Sequence, residues 1–499
     1  MYQSVKLHLF PISAPRRRRY ARWSAVATAA FGLFPASLSL SADTSTPAAS
    51  DNGYPAVQEG PPAQTHLSAL LYDSEYPVIG YSATPQHNAI ARLQTRLLRG
   101  EVRLKFKSPR GYLDSVLKNL GIDPSSQILV YSKSSLQVEW VNAAAPRAIY
   151  FNDDTYAAWV QAVGLLEFVT MDSQLGPVFY TMTNQKDSTS GFGRETLRCL
   201  DCHDKFALQG GGVPMFLATS NYVDVNGLTL KPIAAKEVTD QTPLEIRWGG
   251  WYVSGRQGSQ VHLGNIQVHK AREIANVDLA RRGNLASLAA LLDTRPYVTD
   301  KSDIVALLVF EHQSTVYNLI TRINFKVRSR VAREFNAASA VVASRNTLNP
   351  KTKAWMQKLT EPLVQAMLFE NAAPLTDTVA STSGFDRWFQ AQGPRDKAGR
   401  SLRELDLKTR LFKYPLSYLV YSPAFDGLPD YVRNYVYGRF AEILRGRGVH
   451  GTFSRLSAAD RQAVTEILTA TKPEFARSSG ARQLTDLTPL RLAPTIRSQ

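Results

Sequence analysis

The sequence predicts an α+β fold: a mixed α/β amino-terminal part with antiparallel strands, a central segment that carries both cysteines, and a largely helical carboxy-terminal half. Two patterns predict this class. In residues 66–190, short runs of β-branched and aromatic residues are separated by Asn, Asp and Gly, as in antiparallel sheets. In residues 271–499, apolar residues recur at the spacing of three and four that is typical of helices.

The amino-terminal part begins with helical patterns and continues with strands. The predicted helices are "NAIARLQTRLL" and "GYLDSVLKNLG". The predicted strands are "QILVYSKSSLQVEWV", "RAIYFN", "LLEFVTMD" and "PVFYTMTN". We expect these runs to pair as one antiparallel sheet.

The carboxy-terminal half contains a long helical pattern, "SDIVALLVFEHQSTVYNLITRINFKVRSRVAREF". Its apolar stripe consists of Val305, Leu308, Val316, Leu319 and Ile323. His312 lies on this stripe, where a buried imidazole needs a hydrogen-bond partner. Further along, Ser457 and Asp460 form the pattern of a capping box, which predicts a helix start.

The composition, with 44% hydrophobic and 20% charged residues in 499, is that of an ordinary globular protein with room for two to four packed units. We predict five segments. They are a signal peptide (1–42), a flexible leader rich in Pro, Ser, Thr and Ala (43–65), a mixed α/β domain (66–190), a cofactor-binding region (191–270) and a mainly helical region (271–499).

The first 42 residues have the layout of a secretory signal peptide. Lys6 and an arginine run at 16–19 precede a weakly apolar stretch that ends in small residues. A retained membrane anchor is the alternative, but Pro35 and the many Ala and Ser residues make a poor spanning helix. The paired arginines also suggest twin-arginine export, although no apolar pair follows them at the expected place. We therefore expect a mature protein that is soluble and periplasmic, or otherwise exported.

The chain is basic. Removal of residues 1–42 takes away six positive charges and no acidic ones, so the net charge falls from +16 to +10. The basic residues are interleaved with acidic ones and no nucleic-acid-binding module is recognisable, so we expect no nucleic-acid partner. A basic surface favours an acidic protein partner or an anionic membrane surface.

Both cysteines of the chain lie within "RCLDCHDKFALQGGG", as Cys199 and Cys202, with His203 directly after them. A redox-active dithiol, a zinc site and a covalent c-type haem are the three interpretations of such a pair. The zinc interpretation lacks further ligands nearby, and the dithiol interpretation leaves His203 unexplained. Covalent haem accounts for all three residues, with two thioether bonds and His203 as the proximal iron ligand.

Glycines follow the motif at 210, 211 and 212, with Pro214 after them, and would let the backbone pass close to a flat macrocycle. Trp248, Trp251 and Tyr252 are candidates to flank it, although aromatic residues are more often part of a core.

Several stretches resemble a family of large bacterial single-haem proteins known as cytochrome c domain-containing proteins, whose activity is unassigned. These stretches are "CLDCH", "RAIYFNDDTYAAWV", "RWGGWYVSG" followed by "VHLGN", "SDIVALLVFEHQ" and "GPRDKAGRSLRELDL". The similarity covers nearly the whole chain after the signal peptide. It implies haem binding and electron transfer, and it implies no substrate.

The sixth iron ligand decides the function, because a second strong ligand favours electron transfer and an open face allows small molecules to react. The candidates are Met215, His262, His269, His312 and the later methionines. Met215 follows the glycine-rich loop, and His262 lies in a glycine-rimmed turn, where it could act as distal ligand or acid/base. We expect His312 to be a core histidine rather than a ligand.

The sequence thus favours an exported mono-haem c-type cytochrome that transfers electrons to a redox partner protein. A haem-dependent peroxidase or other oxidoreductase is the first alternative, with an open distal site and His262 or His312 as catalytic residues that move protons. A haem-based sensor of redox state or gas is the second.

Overall fold

The computed structural model describes residues 73–187, 191–204, 212–233, 237–334, 348–447 and 452–478. The predicted signal peptide (1–42) and leader (43–65) lie outside the described residues, as do Gly210 and Gly211. All described residues belong to one compact unit. Its antiparallel sheet and its helical carboxy-terminal half confirm the predicted α+β class.

A seven-stranded sheet with the order β6-β5-β4-β3-β2-β1-β9 lies at the centre of the fold. Every neighbouring pair in it is antiparallel. Its strands are β1 Ile128–Val130, β2 Arg147–Phe151, β3 Thr155–Trp159, β4 Leu165–Asp172, β5 Gly176–Thr183, β6 Gly193–Glu195 and β9 Trp251–Tyr252. A separate hairpin consists of β7 Asn221–Val223 and β8 Thr229–Pro232.

The strands β2, β4 and β5 coincide with three predicted runs. The first predicted run was too long: only β1 is a strand, and residues 136–140 form turns. The strand β3 was not predicted. It follows a turn in which Asn152 Oδ1 accepts hydrogen bonds from the backbone N–H groups of Asp154 and Thr155, 3.2 and 3.0 Å away.

The two helices before the cysteine-containing segment are short, and the longest helices of the described residues follow it. They are α1 Ala89–Leu98, α2 Leu113–Leu120, α3 Leu200–His203, α4 Ile304–Glu334, α5 Pro350–Met367, α6 Phe385–Ala391, α7 Pro423–Asp426, α8 Asp430–Leu444, α9 Ala458–Thr471 and α10 Pro473–Ser478. The predicted helices α1, α2 and α4 are confirmed.

The helix ends follow local chemistry. Asn88 caps α1 by accepting a hydrogen bond from the Ala91 N–H, 3.0 Å away. Gly121 ends α2 at a φ of 66°, in the left-handed region that glycine adopts without strain. The predicted capping box of Ser457 and Asp460 is confirmed at the start of α9.

Two hydrophobic cores lie against the sheet. The first joins Phe151, Tyr156 and Met171 of the strands to α4 and to the helices that follow it. The second joins other strand residues to α1 and α2, and it includes Leu200 and Val213 from the cysteine-containing region. The helix α4 is buried along most of its length, on more than the single predicted stripe, because the sheet and the later helices pack on different sides of it.

Within the described residues, no helix combines the length and apolar character needed to cross a lipid bilayer.

Candidate functional site

The two cysteines lie on one turn of helix. Cys199 is the N-cap of α3, and its carbonyl accepts hydrogen bonds from the N–H groups of Cys202 and His203, at 3.2 and 3.0 Å. Cys199 is half-buried and Cys202 is exposed, and both are free thiols. The turn therefore brings two thiols and one imidazole together within five residues.

His203 is held by the backbone of Met215. The imidazole Nδ1 lies 2.7 Å from the Met215 carbonyl oxygen, and the Met215 N–H donates to the His203 carbonyl at 3.0 Å. The ring packs on Phe179 of β5, with 4.5 Å between ring centroids. Because Nδ1 must donate to a carbonyl, the neutral ring carries its lone pair on Nε2. No described residue hydrogen-bonds that nitrogen.

The segment that contains the Met215 carbonyl is itself buried. Residues 212–216 are all buried, and the Gly212 N–H donates to the Asp204 carbonyl at 2.9 Å. Gly212 has a φ of 81°, in the left-handed region that glycine adopts without strain. The position of the Met215 carbonyl is thus set by packing and by hydrogen bonds on both sides.

Charged side chains of the sheet lie beside this turn. Arg147 of β2 and Glu167 of β4 form an ion pair with 3.3 Å between Nη1 and Oε2, and Gln137 Nε2 donates to Glu167 Oε1 at 3.0 Å. Burial lowers the pKa of His203, and the hydrogen bond to the Met215 carbonyl opposes that shift. Arg147 and Glu167 are close enough for their charges to act on the same pKa.

The thiol of Cys199 has the electrostatics of an unreactive cysteine. Burial, with a smaller contribution from the carboxylates of Glu195 and Glu167, raises its pKa to about 12. Glu195 is itself held by Thr181 Oγ1, which donates to it at 2.7 Å, and by Arg198. At neutral pH this thiol is protonated.

Two buried polar atoms beside the turn have no hydrogen-bond partner: Arg147 Nε and Gln137 Oε1. The loop between β1 and β2, which contains Gln137, also exposes large apolar side chains. The connection between β7 and β8 does the same. We call the residues Leu136, Val138, Trp140, Val225 and Leu228, which are 38–56% exposed, the apolar rim. The two halves of the rim are joined by backbone hydrogen bonds, from Ala143 N–H to Val225 O and from Lys133 N–H to Gly227 O, both 3.0 Å long.

The structure does not bring His262 to His203. His262 lies just after β9, whereas His203 packs on β5, and five strand-to-strand steps separate these two strands in the sheet. His262 is buried against Trp248, and its Nδ1 accepts a hydrogen bond from the Gly264 N–H at 3.0 Å. Its Nε2 is buried without a partner. Burial lowers the pKa of this histidine to about 4.

His312 is fully engaged at both ring nitrogens. Nδ1 lies 3.0 Å from Asp240 Oδ2, and Nε2 lies 2.7 Å from Ser417 Oγ. The three side chains are buried. As expected, His312 is a core histidine with hydrogen-bond partners. Its partners, Asp240 and Ser417, lie 72 and 105 positions away in the chain.

The remaining candidates occupy other places. The Met215 side chain is buried, and its backbone lies on the Nδ1 side of His203. His269 is exposed. Trp248, Trp251 and Tyr252 are buried in or beside β9, at the sheet edge opposite β6, so they belong to the cores.

Arg147, Glu167 and Phe179 contribute to the site, and no sequence pattern points to them. They lie on strands that could be predicted, but only the register of the sheet brings them beside the cysteine turn. Within the described part of the chain, no group of three or more His, Cys, Asp or Glu side chains is arranged to hold a metal ion. Comparison of the chain with family models, with curated proteins and with solved structures finds no match.

Proposed function

We propose that this protein is an exported mono-haem c-type cytochrome that transfers electrons. Haem c would be held by thioether bonds from Cys199 and Cys202, with His203 Nε2 as the proximal iron ligand. One observation carries the proposal: the Met215 carbonyl binds Nδ1 of His203 and leaves Nε2 free. Histidines that ligate metals usually have their second ring nitrogen held in this way by a carbonyl or a carboxylate.

The residues around the turn fit the group. Thioether formation needs two thiols on one side of a helical turn, and Cys199 and Cys202 lie on the single turn of α3. A haem also carries carboxylates. The buried Nε–H group of Arg147 donates to no described residue, so it is available to such a carboxylate. When bound, haem iron changes between its ferrous and ferric states and so exchanges one electron at a time.

A redox-active dithiol is less well supported. Such cysteines have a lowered pKa, because the thiolate is the reacting species. Burial and two nearby carboxylates raise the pKa of Cys199 to about 12, which is the opposite shift. The dithiol interpretation also assigns no role to the hydrogen bond between His203 and Met215.

Met215 fits the role of positioning residue better than that of sixth ligand. A sixth ligand must approach the iron from the face opposite His203. The Met215 backbone lies behind the imidazole, on its Nδ1 side, and is held there by two hydrogen bonds. We therefore assign its carbonyl the task of orienting the ring.

The apolar rim is the surface where we place the redox partner protein. Its five side chains are exposed, and its loop includes Gln137, which bonds the Glu167 carboxylate beside the turn. Exposed apolar patches on otherwise polar surfaces are typical of protein-binding sites. The net charge of +10 that remains after removal of residues 1–42 favours an acidic partner.

A second function, a haem protein with an open distal face that binds or reduces small molecules, is favoured by a different observation. The Met215 side chain is buried, and His262 and His312 are hydrogen-bonded to other residues of the chain. An optical spectrum with and without carbon monoxide distinguishes the two functions. A ferrous spectrum that carbon monoxide leaves unchanged supports the electron carrier, and one that carbon monoxide shifts supports the open site.

Mass spectrometry tests the attachment. After production in a host that assembles c-type cytochromes, the intact protein should exceed the mass of its polypeptide by one haem. Cys199→Ala combined with Cys202→Ala should abolish this excess. Met215→Leu is the matched control: it keeps the carbonyl, so the mass excess and the spectrum should both persist.

His203→Ala should keep the thioethers but change the spin state of the iron, because the proximal ligand is lost. If the wild-type protein produced in such a host has only the mass of its polypeptide, the haem proposal is wrong. If haem is attached but His203→Ala leaves the spectrum unchanged, the assigned ligand is wrong.

A further inference from the structure

A cavity of about 270 Å³ lies in the helical half of the molecule, apart from the cysteine turn. Its walls are largely apolar and include two phenylalanine rings. The main apolar residues are Leu308, Leu368, Phe369, Leu375, Phe412 and Leu456. A hollow of this kind, apolar with a few polar groups, is the usual form of a small-molecule site.

Two carboxyl groups line the cavity, and each has an oxygen without a hydrogen-bond partner. Asp240 is 7% exposed; its Oδ2 lies 3.0 Å from His312 Nδ1, and its Oδ1 is buried and unbonded. Oε2 of Glu370 is likewise buried and unbonded. A buried carboxylate oxygen that accepts nothing costs free energy, so both oxygens favour a bound donor.

The cations that line the cavity are directed to other groups. Arg247 donates to the Glu311 carboxylate, to the Asp240 carbonyl and to the Thr242 carbonyl, at 2.8, 2.8 and 2.7 Å. Arg410 pairs with Asp460. Arg455, the third cation of the lining, is exposed and donates to the Ala372 carbonyl at 3.4 Å. None of the three guanidinium groups therefore satisfies the two free carboxylate oxygens.

We propose that this cavity binds a small organic cation, a primary ammonium group on an apolar body. The ammonium would donate to Asp240 Oδ1 and Glu370 Oε2, and the apolar body would lie against Phe369 and Phe412. Charge-assisted hydrogen bonds and aromatic rings are the two features by which proteins recognise such cations. This proposal goes beyond the haem function and does not depend on it.

Asp240, His312 and Ser417 have the connectivity of a hydrolase triad, but they cannot work as one here. Ser417 is 0% exposed and neither it nor His312 lines the cavity. Its Oγ also accepts a hydrogen bond from the Leu419 N–H at 3.3 Å, as the cap of a short helical turn. Ser417 and His312 therefore act as positioning residues that fix the orientation of the Asp240 carboxylate.

A more open hollow adjoins the cavity and gives a ligand a way in. The two share Leu244, Pro374 and Arg455 among their walls. Arg455 is exposed, and its Nη1 lies 3.4 Å from the Ala372 carbonyl oxygen. The side chain at this junction is therefore a surface side chain that lines both hollows.

Calorimetric titration of the full chain with three ligands of similar shape tests the proposal. They are phenethylammonium, 2-phenylethanol and 3-phenylpropionate, which are cationic, neutral and anionic. Phenethylammonium should bind, and the alcohol should bind at least about tenfold more weakly because it offers one neutral donor. The carboxylate should not bind.

Glu370→Gln should weaken binding of phenethylammonium by about tenfold or more and leave the alcohol nearly unchanged. Glu442→Gln, an exposed carboxylate that does not line the cavity, is the matched control and should change neither. The affinities should be the same in the variant with Cys199→Ala and Cys202→Ala, so a failed haem proposal leaves this result intact. Absence of binding by the cation, stronger binding of 3-phenylpropionate, or equal affinities in the wild type and Glu370→Gln would each overturn the proposal.

Discussion

Three histidines of this chain differ in how their ring nitrogens are bonded. His203 has Nδ1 on a carbonyl and Nε2 free of described partners, His312 has both nitrogens bonded, and His262 has Nδ1 bonded and Nε2 buried without a partner. Only the first arrangement leaves a lone pair for a metal while holding the ring in place. At this scale, hydrogen bonding separates one candidate ligand from two core residues.

His262 should make the stability of the protein depend on pH. Its pKa falls from 6.5 in an exposed state to about 4 in the folded protein, because burial disfavours the charged ring. The unfolded chain therefore binds more protons between these values, and stability is lost as the pH falls from about 6.5 to about 4. The loss should amount to at most about 3 kcal/mol.

His262→Asn should remove this component, so the variant should lose less stability than the wild type over the same pH range in urea unfolding. His269→Asn, at an exposed position, is the control and should keep the wild-type slope. Parallel pH profiles for the wild type and His262→Asn would show that the imidazole is not held uncharged in the fold.

The helix α4 connects the parts of the molecule. Asn318 bonds both backbone groups of Phe216, the residue after Met215, at 2.7 and 2.9 Å. Gln313 Oε1 accepts from Tyr156 Oη of β3 at 2.8 Å. Since the same helix carries His312 beside the cavity, one rigid element supports the sheet, the chain that holds His203 and the Asp240 carboxylate.

Glu311 of the same helix forms a buried ion pair with Arg247, and the strength of this pair should depend on pH. Arg247 and Glu311 are 3% and 2% exposed, with 2.8 Å between Nη1 and Oε2. Burial raises the pKa of Glu311 to about 7 even though Arg247 lowers it. Arg247→Met should therefore cost about 3–5 kcal/mol at pH 8, because the variant must there either bury an unpaired carboxylate or bind a proton that the wild type does not need.

At pH 5 the same substitution should cost less, because the carboxyl can be protonated. Urea unfolding at both pH values measures the difference, and Arg247→Met combined with Glu311→Leu should recover part of the loss at pH 8. Arg439→Met removes the partly exposed pair with Glu361 and should cost less than about 1 kcal/mol. A cost for Arg247→Met that is equal at the two pH values would contradict this account.

The elements with strong local patterns could be predicted, and those that depend on distant contacts could not. Runs of apolar, β-branched and aromatic residues identify β4 and β5, whereas β3 is only five residues long and contains two alanines. The cysteine turn is visible because its three residues are adjacent in the sequence. A backbone carbonyl, such as that of Met215, leaves no signature, and no local pattern connects His312 to Asp240 or Ser417.

On the scale of the whole molecule, one sheet supports two cores. The segment boundary predicted at residue 270 separates two parts of the chain that pack together, since Phe151 and Tyr156 share a core with α4. Hydrogen bonds cross the same boundary: Ser302 Oγ accepts from the Leu129 N–H at 2.9 Å and donates to the Tyr252 carbonyl at 2.6 Å. The strands β2 and β3 therefore depend on residues beyond 300 for packing, and β1 and β9 depend on them for hydrogen bonds.

This dependence predicts that the two halves do not fold separately. A fragment of residues 73–301 would expose the sheet face that α4 covers, including Phe151, Tyr156 and Met171. We expect it to aggregate or to lack a cooperative thermal transition in circular dichroism, while the chain extended to residue 478 melts in one sharp step. A fragment of residues 73–301 carrying Phe151→Ser is the matched control for solubility and should also lack a transition. A sharp melt of residues 73–301 alone would show that the sheet holds its structure without α4, and that the region around the cysteine turn is an independent domain.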